Sequence, residues 1–145
     1  MTVYADNAAT TQMSDSVLKA MMPLLTDIYG NPSSLHSVGQ IAKEHLEAAR
    51  ETVAECIGAD PKEIYFTSGG SEADNQAIRS AAYIGARKGK KHIISSKFEH
   101  HAVLHTLDAL KKEGFTVTLL DVYSNGIVKP EDVANAITEL SLIHI

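Results

Sequence analysis

The sequence predicts an α/β fold: three layers, with a mainly parallel sheet and helices on both of its faces. Two observations carry this. Short β-branched runs alternate with helix-length segments from about residue 63 onward, and that alternation implies βαβ units with parallel strands. The runs also break on Gly-Gly or Ser-Ser just before the next helix, at Ser68-Gly-Gly-Ser71 and Ser95-Ser96, as strand-to-helix turns do in such sheets.

The elements follow in order. Tyr4–Thr11 is short, small and polar, and Ser14 and Asp15 open a helix that runs to about Ile28, with Pro23 kinking or dividing it. Gly30-Asn-Pro-Ser-Ser34 is a loop. Ser37 and Gln40 fit a capping box, after which Ile41, Ala42, His45, Leu46, Ala49, Val53 and Ile57 share one helical face, expected to turn to the core. Gly58 ends that helix and Pro61 prevents its resumption. Glu63–Thr67 reads as a strand, Ser71 to about Lys88 as a helix and Lys91–Ser95 as a second strand. A helix from Glu99 to about Glu113 and a third strand over Phe115–Val122 come next. Asn125-Gly126 marks a turn, and Pro130 suits the first position of a last helix.

Bulk properties narrow the function classes. A chain of 145 residues is one domain by length and buries roughly 68–70% of its unfolded surface. With 44% hydrophobic and 21% charged residues and a net charge of -5, the composition is that of an ordinary soluble protein and argues against nucleic-acid binding. The one basic run, Arg87–Lys91, reads as a solvated helix end. A single cysteine permits no internal disulfide and no cysteine-based zinc site. No secretory leader or membrane-spanning run is evident, so a cytoplasmic location is expected.

Two segments carry candidate chemistry. At Gly69-Gly70-Ser71 backbone N–H groups and the Ser71 hydroxyl could cradle a phosphate at a helix N-terminus; a plain turn with Ser71 as N-cap fits equally. At Glu99-His100-His101 two imidazoles sit in the first turn of a helix, where the dipole favours a neutral ring able to stack on a flat heterocycle or exchange a proton. Both lie past strand ends and could share a crevice. His101 and His105 have the i, i+4 spacing of metal ligands, but no acidic or cysteine partner completes a set. Cys56, between Val53 and Ile57, is expected to be buried and inert.

These segments together resemble the start of the cysteine desulfurases, the NifS/IscS-type branch of the class V aminotransferases. The resemblance rests on Asp6-Asn-Ala-Ala-Thr-Thr11, Gly30-Asn-Pro-Ser-Ser34, Ala49-Arg50 with Ile57-Gly-Ala59, Glu63-Ile-Tyr-Phe-Thr-Ser-Gly-Gly-Ser-Glu-Ala-Asp-Asn75, and Glu99-His100 with Ala102-Val103, in order over residues 3–139. It implies a fold-type I enzyme dependent on pyridoxal 5′-phosphate. Residues 1–145 would form a single incomplete domain, an N-terminal segment 1–35 followed by the first part of the large cofactor-binding domain. Gly70 and Ser71 would hold the cofactor phosphate, and His100 would stack on the cofactor ring and move protons. The family takes sulfur from L-cysteine, leaving L-alanine and an enzyme persulfide for iron–sulfur cluster assembly, so a homodimer and a sulfur-acceptor or scaffold partner are also implied.

The family's Schiff-base lysine, pyridine-pairing aspartate, persulfide cysteine and substrate arginine all fall beyond residue 145. The last residues, Leu140–Ile145, fall where the family has a strand but do not continue its pattern, which reads as a truncated, aberrant end. The expectation is that this chain alone has no desulfurase activity. A non-catalytic anion-binding or subunit-pairing module is the alternative, and a metal hydrolase built on His101 and His105 is a third reading.

Overall fold

The computed structural model describes residues 3–144, and the chain divides into two units, Met1–Tyr65 and Phe66–Ile145.

In the first unit, helix α1 (Asp15–Thr26) begins where the Ser14 hydroxyl accepts the Val17 N–H. Pro23 is accommodated inside it, and the helix stops short of Ile28. None of its residues is buried; Val17, Leu18, Met21 and Leu25 all face solvent.

Helix α2 (Ser37–Ile57) is capped by His36, not by the expected Ser37: the Gly39 N–H donates to His36 Nδ1 at 3.3 Å. Gln40 is drawn away from a capping box because its Nε2 donates to the Ser34 carbonyl, 2.7 Å away. Close packing explains the arrangement. A Cβ on Gly39 would lie 2.6 Å from the Asn31 carbonyl oxygen and 2.8 Å from that of Ser34, so the Gly30–Ser34 loop rests on the first turn of α2 only because residue 39 has no side chain. Gly39→Ala is therefore expected to destabilise this unit by about 1–3 kcal/mol, despite alanine's better helix propensity, and to raise amide exchange in the loop. Unchanged exchange over residues 30–34 would contradict this.

Gly58 (φ 68°) closes α2 in the left-handed conformation expected of it. Two other expectations fail. Of the apolar face of α2, Ala42 and Leu46 are half-buried, while Ile41, Val53 and Ile57 are exposed, and so is Cys56. The helix packs mainly on the short 3-10 turn Pro61–Glu63, which is too small to cover such a face. No strand forms over residues 63–67 either. Asp60 caps the 3-10 turn that takes Glu63, and residues 64–67 join no ladder among the described residues; a strand exists only by pairing.

The second unit is the predicted α/β structure. Helix α3 (Gly70–Ala86) leads to strand β1 (His92–Ser96), helix α4 (His101–Lys112), strand β2 (Thr116–Leu120), helix α5 (Pro130–Ala136) and strand β3 (Ser141–His144). The sheet order is β2-β1-β3, all parallel, with Ile93 opposite Val117 and Ile143. Pro130 is the first residue of α5, and Asn125-Gly126 turns with Gly126 at φ 78°. Residues 141–144, where the resemblance puts a strand, form β3; Ile145 lies outside the described residues.

Alternation along the strands sorts their faces. Ile93, Val117 and Leu119 meet Ile78 and Ala82 of α3, Val103, Leu107 and Leu110 of α4, and Phe115. On the opposite face Ile94 and Leu120 join Val133 of α5 around a cavity of about 280 Å³. Buried His92 bridges the three strands there, its Nε2 2.8 Å from Thr118 Oγ1 and its Nδ1 2.7 Å from Ser141 Oγ. Leu142 of β3 fills the space left by the missing side chain of Gly85 on α3.

Candidate functional site

The turn before α3 differs from the expected one in a useful way. Its N-cap is Gly69, not Ser71, and no side chain caps the helix. The first-turn N–H groups of α3, which have no partner inside the helix, are thus left for an outside acceptor. A Cβ on either Gly69 or Gly70 would meet nothing within 4 Å. The turn is pinned on both sides: Thr67 Oγ1 donates to the Gly69 carbonyl at 3.1 Å, and the Ser68 N–H and hydroxyl both donate to Glu72 Oε2, at 2.7 and 2.6 Å. Those two bonds hold the Glu72 carboxyl below its usual range.

Helix α4 starts two residues later than expected, with His100 as N-cap and His101 as its first residue. The Ala102 N–H donates to His100 Nδ1 at 3.1 Å. With Nδ1 accepting, the neutral ring carries its proton on Nε2, and Nε2–H is the edge left to meet a ligand.

Ser71 and His100 line one cleft of about 360 Å³ between α3 and α4, together with Asn75, Arg79, His101 and His105. Gly70 adjoins Ser71 as the first residue of α3. Asn75 and Arg79 were not singled out from the sequence, although Ser71, Asn75 and Arg79 follow one another at four-residue steps on one helix face. The His101 and His105 rings stack, centroids 5.5 Å apart, and no group of three metal-ligating side chains occurs among the described residues. A larger cleft of about 540 Å³ in the first unit, between α2 and the 3-10 turn, contains none of these groups.

At the far end of the α3–α4 pair, Arg79 donates to Glu113 Oε1 at 3.0 Å and the Tyr83 hydroxyl donates to Glu113 Oε2 at 2.9 Å. Tyr83 and then Arg79 lower the Glu113 carboxyl, and Glu113 raises the Arg79 guanidinium. A carboxylate lowered by folding contributes stability that is present above its unfolded titration, near pH 4.3, and lost as pH falls through its folded value. Glu113→Gln should therefore flatten the acid limb of the stability curve below about pH 4.5 and leave the neutral limb almost parallel to wild type. Equal acid limbs in the two proteins would show that Glu113 is not held by this network.

The aminotransferase class-V family model matches residues 3–145. The chain belongs to the class-V aminotransferase family. It is 50% identical to a cysteine desulfurase IscS of Clostridium botulinum over 141 residues, 97% of this chain and 35% of that protein. Against the IscS of Methanosarcina thermophila the identity is 47%, with the same coverage. A solved NifS-like protein superposes with a TM-score of 0.94 at 40% identity, covering 99% of this chain and 39% of its own. SspA in complex with cysteine gives a TM-score of 0.87 at 36% identity, covering 94% and 39%. This class-V chain thus spans about a third of the length of the curated relatives, at 35%. Among the described residues no helix is long and apolar enough to cross a membrane.

Proposed function

We propose that this chain is the N-terminal part of a pyridoxal 5′-phosphate-dependent cysteine desulfurase, and that Gly70, Ser71 and His100 form the cofactor end of its site. The observation that carries the site assignment is the meeting of Ser71 and His100 in one cleft beside a helix N-terminus that no side chain caps. The residues present fit the cofactor: two glycines with open space at their Cβ positions allow a phosphate to approach the backbone.

In this reading the Gly70 and Ser71 N–H groups and the Ser71 hydroxyl bind the phosphate, with the α3 dipole favouring its charge. His100 would stack on the cofactor ring by its flat face, and with Nδ1 occupied by the Ala102 N–H its Nε2 is the nitrogen left to hold or pass a proton. The cofactor supplies an electron sink when bound. The whole enzyme takes sulfur from L-cysteine, releases L-alanine and passes the sulfur as a persulfide to an acceptor for iron–sulfur cluster assembly. It acts as a cytoplasmic homodimer, and residues 1–145 are one incomplete domain of it. These residues alone hold the cofactor phosphate without turning over L-cysteine, because the family's Schiff-base lysine lies outside them.

The test is spectroscopic. The 145-residue chain is titrated with pyridoxal 5′-phosphate, treated with borohydride and analysed by mass spectrometry, with alanine release from L-cysteine followed in parallel. The expected result is saturable binding that pyridoxal without phosphate does not match, no lysine fixed by borohydride, and no alanine. Ser71→Ala should weaken the binding about tenfold or more, the loss of one hydrogen bond to a charged group. A single lysine fixed by borohydride, or alanine release, would overturn the inactivity of the isolated chain. Equal affinity for pyridoxal would overturn the phosphate site.

A further inference from the structure

We propose that Glu72 is a positioning residue for the phosphate-binding turn: by holding Ser68 back along α3 it keeps the N–H groups of Gly70 and Ser71 turned outward. The inference rests on the phosphate site proposed above and adds a residue that would not itself touch the ligand.

The geometry points to Glu72 for three reasons. Its Oε2 receives both donors of Ser68, the N–H at 2.7 Å and the hydroxyl at 2.6 Å, so one carboxylate oxygen fixes backbone and side chain together. Gly69, the N-cap, contributes no side-chain bond of its own to hold the turn. Finally, two consecutive glycines explore more backbone conformations than any other pair, so the segment between Ser68 and Ser71 stays in one conformation only if its ends are tied. Thr67 ties the Gly69 carbonyl, and Glu72 ties Ser68.

Charge argues in the opposite direction, which makes the inference easy to test. A carboxylate near an anion site repels the anion, so if charge were all that mattered, removing Glu72 would tighten phosphate binding. Positioning predicts weaker binding, and it predicts that glutamine, whose amide oxygen can still accept from Ser68, restores what alanine loses.

The experiment titrates inorganic phosphate into the uniformly 15N-labelled 145-residue chain and follows the amide resonances of Gly69, Gly70 and Ser71 in wild type, Glu72→Ala and Glu72→Gln. Circular dichroism checks that each variant folds, as the exposed position of Glu72 leads one to expect. Glu72→Ala should bind phosphate about tenfold more weakly, and Glu72→Gln should stay within about threefold of wild type, in line with a lost and a retained hydrogen-bonded anchor. If wild type binds and Glu72→Ala binds as tightly or more tightly, the positioning role is wrong while the phosphate site stands. If the Gly70 and Ser71 amides of wild type do not respond to phosphate, the site itself is wrong and the positioning role falls with it.

Discussion

Leu110→Ala is expected to lower the unfolding free energy by about 2–5 kcal/mol, the sum of lost apolar transfer and the cavity left behind. Leu110 is 0% exposed, at the centre of the cluster that joins α3, α4 and β1. A control makes the effect specific: Ile57→Ala, at a position 69% exposed, should change stability by no more than about 0.5 kcal/mol. Urea unfolding measures both, with a shift of midpoint at constant slope as the signature of a pure stability change. Losses of similar size at the two positions would mean that the core does not lie between α4 and the sheet.

His92→Leu should also be costly, for a different reason. The imidazole is buried and meets Thr118 Oγ1 with one nitrogen and Ser141 Oγ with the other. Leucine takes that partner from half-buried Thr118 and from Ser141, whose Oγ keeps the Thr138 N–H, so the loss is about 1–3 kcal/mol in all. Adding Thr118→Val should recover part of the loss, because removing both members of a buried pair costs less than removing one. Ser141 opens β3, so faster amide exchange in β3 than in β2 is the expected local sign. If the double variant were less stable than the single one, the bridge would not be the source of the stability.

These two cases also show how far the sequence could be read. In the second unit most local signals agree with the tertiary structure: β-branched runs became strands because parallel partners lie beside them, and Asn125-Gly126 and Pro130 did what their backbone preferences dictate, while the caps of α3 and α4 moved to Gly69 and His100. In the first unit the local signals had less to act on. Ile41, Val53 and Ile57 keep helical spacing, but periodicity marks which face of a helix is apolar and not what lies against it. Residues 63–67 have strand composition, yet they join no strand ladder among the described residues. The capping error at Ser37 has a more local cause. An imidazole nitrogen accepts an N–H as a hydroxyl does, so His36 competes for the cap and wins where Ser34 occupies Gln40. At the candidate site the glycine turn and His100 were visible as motifs, whereas Glu72 was not, because its part depends on a carboxylate folding back four residues onto Ser68.

The seating of β3 against β1 and Gly85 has a consequence for how the chain is made. Synthesis proceeds from the N-terminus, so β1, α4 and β2 can associate as soon as Leu120 has emerged, but one side of β1 then lacks its neighbour until Ser141–His144 arrive. At 5–20 residues per second that interval lasts roughly 1–5 s. Throughout it the nascent polypeptide shows an open, apolar strand edge of the kind that recruits other chains, and Ile93 and Ile94 lie on that edge. Slow translation across residues 121–140 would lengthen the time for which that edge stays open, and fast translation would shorten it.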